Sequence, residues 1–163
     1  MAMAMAMALA LADPMRQPFQ IEGQAPLDQA EALLPPAQRI RRSRRKGYRL
    51  PLGAIYVGRP TVWGNPFSVG PRSSGGCGGH ARCTILHKAW LQGRISDLAL
   101  ERLDFCPAQI EALHRKRYRI LTSLHTLAGH DLACWCPLTS EWCHAQTYLV
   151  LASSYAQLES FAA

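Results

Sequence analysis

The stretch Leu132-Ala133-Cys134-Trp135-Cys136-Pro137, followed by Trp142-Cys143-His144, decides how this chain is read. It gathers three thiols, one imidazole and two indoles within thirteen residues. A short apolar run with an aromatic predicts a buried strand. Pro137 has no N–H to give a sheet ladder, so it ends the strand. Side chains alternate along a strand, which puts Cys134 and Cys136 on one side and Trp135 on the other. A loop follows over 138–142, and a helical pattern starts near Cys143-His144. Two thiols at a strand end and a Cys-His pair at a helix start can converge, and that convergence defines the candidate site.

Working outward, the next segment towards the amino terminus predicts the longest helix, over 107–128. Pro107 suits its first turn, and Gly129 its stop. Ile110, Leu113, Ile120, Leu121, Leu124 and Leu127 form its apolar stripe. Ser96 can cap a short helix carrying Leu98, Leu100 and Leu103. A helix over 81–92 is expected from Cys83, Leu86 and Trp90 on one face, with Gly93 beyond. The loop 68–79 is rich in Gly, Ser and Pro. It runs into Cys77-Gly78-Gly79-His80-Ala81-Arg82-Cys83, a Cys-x2-His-x2-Cys spacing that metal ligands can adopt, although glycine-rich loops also collect such residues by chance. Ala54-Ile55-Tyr56-Val57 reads as a second strand. Strand, helices, strand and helix in that order predict an α/β fold: one small domain with a short sheet flanked by helices. The carboxyl end of such a sheet is where a site is expected.

The turn after the second strand is Gly58-Arg59-Pro60, followed by Thr61-Val62-Trp63-Gly64-Asn65-Pro66-Phe67. Pro66 restricts Asn65 to extended backbone, so its amide can present a donor and an acceptor in a fixed direction. Arg59 offers a planar fork for phosphate or carboxylate. The alternative is a structural Trp/Asn turn that covers the core.

The 163 residues suit one domain with a modest core, and the net charge of +7 favours an anionic partner. Seven cations (Arg39, Arg41, Arg42, Arg44, Arg45, Lys46 and Arg49) lie within eleven residues. They read either as a phosphate-binding arm or as a solvated linker. The chain is expected to divide into a disordered or weakly helical leader with this basic arm, 1–47, and the ordered domain, 48–163. The Met-Ala repeat at the start is too short to span a bilayer and lacks a positive flank, so no membrane association is expected. Six cysteines without a secretory signal are expected to be free, metal-bound or catalytic thiols of a cytoplasmic protein.

Three motifs together resemble the family DUF4326, a domain of unknown function found in small proteins of bacteria and their phages. They are Tyr56-Val57-Gly58-Arg59, Trp63-Gly64-Asn65-Pro66-Phe67 and Cys134-Trp135-Cys136…Cys143-His144. The resemblance covers about 54–152 and implies a fold group and site residues, not a reaction. Relatives often continue Gly-Asp after the Cys-His pair, where this chain has Ala145-Gln146, so an acidic partner for His144 is missing there.

Three uses of the site follow. Cys134, Cys136, Cys143 and His144 have the number and type of a zinc ligand set, although Cys-x-Cys is tight and adjacent Cys143 and His144 cannot easily both turn inward. Alternatively, Cys143 and His144 are catalytic. A helix amino terminus would stabilise the Cys143 thiolate, with Arg59, Trp63, Asn65 and Trp135 holding a nucleotide or base in a common pocket. Thirdly, Cys134 and Cys136 simply pack as small apolar groups. The expectation is a domain that binds a nucleotide or nucleic-acid component, with or without processing it. The alternative is a non-catalytic, zinc-stabilised nucleic-acid-binding module.

Overall fold

The computed structural model describes residues 36–162, with side chains up to Tyr155. The Met-Ala leader and the helix expected near 26–34 lie outside the described residues. Within them is a small α/β domain. Its strands are β1 (Arg39–Arg41), β2 (Ile55–Tyr56) and β3 (Leu132–Cys134). Its helices are α1 (His80–Leu91), α2 (Asp97–Glu101), α3 (Pro107–Thr122) and α4 (His144–Ala162).

The sheet has the order β1-β3-β2, and both outer strands run parallel to β3. Arg39 pairs with Leu132 and Arg41 with Cys134, while Ile55 pairs with Leu132. The ladder continues past the strand ends, where Arg42 N donates to Cys134 O at 2.8 Å and Val57 N to Ala133 O at 2.9 Å. A central parallel strand is covered on both faces, and all three residues of β3 are buried, which is why this stretch reads as an apolar run. Because the strands are parallel, Arg42, Gly58 and Trp135 all follow the carboxyl end of the sheet.

β1 lies in the basic stretch, amino-terminal of Tyr48, where the sequence predicted the ordered domain to begin. Arg39 sits at the sheet edge, and its guanidinium donates to the carbonyls of Leu138, at 2.6 Å, and Ser140, at 3.0 Å. An edge strand can carry charges that a central strand cannot.

The helices follow local signals. Ser96 Oγ accepts from Ala99 N at the start of α2. Pro107 is the first residue of α3, and the Gln109 side chain accepts from Cys106 N. The long helix expected over 107–128 divides. α3 stops at Thr122, and Leu124–Leu127 continues as a 3-10 turn that keeps Leu124 and Leu127 buried. α4 packs on that turn, on β3 and on α1. The core centres on Tyr148, Phe67, Leu91, Leu100, Ile120, Leu127 and Leu132, all essentially inaccessible. Each such side chain contributes roughly 1.5–3 kcal/mol of burial free energy. Among the described residues no helix is long and apolar enough to cross a membrane.

Candidate functional site

The thiols converge. Cys134 ends β3, Cys136 lies two residues on, and Cys143 immediately precedes α4. Their three sulfurs lie within 4.8 Å of one another, and Cys134 Sγ is 3.1 Å from Cys143 Sγ. The Cys136 N–H donates to Cys134 Sγ at 3.4 Å, a bond that favours charge on that sulfur. All six cysteines of the chain are free thiols. These three form a cluster with the donor set of a soft divalent metal site.

The electrostatics of the cluster are lopsided. The Cys143 thiol is held far below the usual thiol range, because the Cys134 and Cys136 side chains hydrogen-bond to it and the Ala145 N–H adds to them. Cys136 is pushed far above that range, because the same hydrogen bonds with Cys134 and Cys143 favour its protonated form and burial adds to them. The hydrogen bonds thus favour charge on Cys143 over Cys136, and a divalent cation at the centre of the three sulfurs would favour the thiolate form of all three.

His144 does not join the sulfurs. Its Nε2 donates to Val57 O at 2.9 Å, and its ring lies edge-on to His87 and Tyr148. Cys143, just before α4, faces the cluster, while His144, the first residue of the helix, turns into the core. Burial then lowers the His144 pKa and keeps the imidazole neutral. The imidazole that does reach the thiols belongs to His80, the first residue of α1, whose Nε2 is 3.5 Å from Cys136 Sγ. The sequence placed His80 in a separate cluster with Cys77 and Cys83. Those two are buried instead, and Cys83 Sγ faces the carbonyls of Ser68 and Gly78. A Cys-x2-His spacing was the only sign of His80, and it named the wrong partners.

The Trp-Gly-Asn-Pro-Phe turn works within the fold. Trp63 is buried edge-on against Tyr148, with ring centroids 5.5 Å apart. The Tyr148 hydroxyl donates to Trp63 O and takes a hydrogen bond from His87 Nε2. The Asn65 amide is satisfied at both ends: Nδ2 donates to Cys83 O and Oδ1 accepts from Phe67 N. Gly64 lies so close to Arg59 that a Cβ there would stand 2.7 Å from its Cγ and 2.9 Å from its Cα. Arg59 Nη1 donates to Ser68 Oγ. Lys116 donates to Gly64 O at 2.7 Å, and burial lowers its pKa. Trp63 and Asn65, expected to hold a ligand, are thus engaged inside the domain, as in the structural alternative.

Trp135 behaves differently. It is 41% exposed. The Arg42 and Arg44 guanidiniums lie 5.2 and 5.0 Å from its ring centroid, and Arg42 also stacks 4.4 Å over Tyr56. Arg41, Arg42, Ser43, Arg44, Arg45, Tyr48 and Trp135 line an open hollow of about 740 Å³. The cations that the sequence placed on a separate arm are therefore brought to one of the predicted site residues.

No curated protein and no solved structure matches the chain. The family described as a domain of unknown function, DUF4326, matches residues 40–154, from β1 to within α4. With more than two thirds of its length covered by that match, the chain belongs to the DUF4326 family.

Proposed function

We propose that this protein is a zinc-stabilised module that binds a nucleic-acid component through Trp135 and the arginines of 41–45. The observation that carries the proposal is the position of Trp135. It sits between two cysteines of the cluster, and its exposed ring lies against two guanidiniums. Bases stack on exposed indoles, and guanidiniums neutralise the phosphates beside them. Holding Cys134 and Cys136 on a metal would fix the strand-end turn that presents the indole. Burial argues against a nucleophilic role for Cys143, which is 1% exposed, faces other sulfurs and has its neighbouring imidazole turned away. The non-catalytic reading is therefore preferred to a processing enzyme.

The test is binding of a labelled single-stranded oligonucleotide, followed by anisotropy across about 50–200 mM salt. The wild type should bind with a negative log–log salt slope of about 0.7 per phosphate neutralised. Trp135→Ala should weaken binding by about 1–3 kcal/mol, the worth of one base stack, while keeping that slope. Absence of binding at the lowest salt, or equal affinity of the variant, would overturn the proposal.

A further inference from the structure

We infer that His80 is the fourth ligand of a zinc site completed by Cys134, Cys136 and Cys143. This rests on the zinc reading above and adds the residue that closes the tetrahedron. Zinc holds sulfur at about 2.3 Å and imidazole nitrogen at about 2.0–2.1 Å. At the tetrahedral angle, a sulfur and a nitrogen on one ion stand about 3.6 Å apart, and two sulfurs about 3.8 Å. The His80 Nε2–Cys136 Sγ separation of 3.5 Å is that of two ligands on one ion, while His80 stands farther than 4.8 Å from at least one of the other two sulfurs and has to swing inward to join them. The Cys134–Cys143 pair at 3.1 Å has to open by about 0.7 Å to meet the same geometry.

The local structure suits the role. Gly78 has φ +107°, a backbone conformation that only glycine adopts freely, and Gly79 caps α1. This loop turns His80 outward while Cys77 and Cys83, three residues away on either side, turn inward and are buried. The His80 side chain is exposed and can rotate onto the cluster. His144, the competing imidazole, is committed to Val57 O. Neutral imidazole with three thiolates is a common closed ligand set for structural zinc. The ion would then join three separate pieces of chain: the start of α1, the end of β3 and the start of α4.

The test is metal titration of the full chain with zinc, and with cobalt(II) as a coloured substitute. The wild type should bind one equivalent, with thiolate-to-cobalt charge transfer and the visible bands of a tetrahedral site of three sulfurs and one nitrogen. His80→Ala should keep the charge-transfer band, change the visible bands, and bind at least ~10–100-fold more weakly, the loss seen when even an outer-shell partner is removed. His80→Cys, which restores four ligands, should recover tight binding with the spectrum of an all-sulfur site. Equal affinity and an identical spectrum for His80→Ala and the wild type would overturn the assignment of His80, leaving the three thiols as the metal site. No metal bound by the wild type would overturn the zinc reading itself. Loss of tetrahedral cobalt binding in His144→Gln, with His80→Ala unaffected, would return the fourth position to His144.

Discussion

Acid should destabilise the fold through His87, and the size of the effect follows from its surroundings. The ring is fully buried in α1, between Trp90, His144 and Tyr148. The single Tyr148 hydroxyl proton is given to Trp63 O, so His87 must donate from Nε2 and leave Nδ1 bare. Nδ1 has no partner among the described residues. A proton added there would be buried and unpaired. Burial is the main reason the pKa is pushed from 6.5 to about 3; the facing His144 and Lys116 lower it further, and Cys143 opposes them. The unfolded chain therefore takes up a proton near pH 6.5 that the folded chain refuses until about pH 3. Stability from this group is complete above the higher value and is lost as pH falls between the two, at about 1.4 kcal/mol per pH unit. Between about pH 7.5 and about pH 5 the loss is about 2 kcal/mol. His87→Gln keeps a donor for Tyr148 and removes the titration. Urea unfolding of both proteins at the two pH values measures the difference, in which the shared thiols and His144 cancel to first order. The wild type should lose about 2 kcal/mol more than the variant on acidification. Equal losses would refute the argument that His87 is buried neutral.

Two further outcomes test other parts of the fold. Chelation of a purified, zinc-loaded protein should lower its melting temperature, and Cys134→Ser should give the lower value with no further response to chelator; a wild type indifferent to chelation would contradict a structural metal. Gly64→Ala should cost about 1–3 kcal/mol in urea unfolding, because the new methyl meets the Arg59 backbone, which cannot step aside as a side-chain tip can; a cost under about 0.5 kcal/mol would show that the turn can relax.

What the sequence disclosed divides by distance along the chain. The apolar run disclosed β3, but the strand ends at Cys134 rather than at Pro137, so Trp135 and Cys136 lie in a bend where strand alternation no longer applies. Serine and proline marked the starts of α2 and α3, because caps are local, whereas Gly129, the expected stop, lies beyond the 3-10 turn that follows Thr122. The imidazole beside Cys136 could not be read this way. His80 and Cys136 are 56 residues apart and meet only because the loop before α1 reaches the end of β3. His144, adjacent to a cluster cysteine, drew attention by its number, yet the helical turn sends it to Val57. β1 was hidden by its composition. Arginines at 39 and 41 look like a solvated arm, but a three-residue edge strand leaves one guanidinium free to bind loop carbonyls. The Trp-Gly-Asn-Pro-Phe turn was legible as rigid, but rigidity in service of packing and rigidity in service of a ligand leave the same residues in the sequence.

The metal reading and the nucleic-acid reading are coupled through a single peptide segment. Without a cation the hydrogen bonds among the sulfurs lower the Cys143 thiol and raise that of Cys136. The strand-end turn then meets the start of α4 through weak sulfur hydrogen bonds. A divalent ion favours three thiolates at once and replaces those bonds with coordination, so binding free energy becomes local folding free energy. Trp135 lies between Cys134 and Cys136, and cannot keep its direction against Arg42 and Arg44 if that turn loosens. Metal loss should therefore weaken oligonucleotide binding to the level of Trp135→Ala while leaving the arginines' salt dependence in place, since β1 is held to β3 by its own backbone ladder.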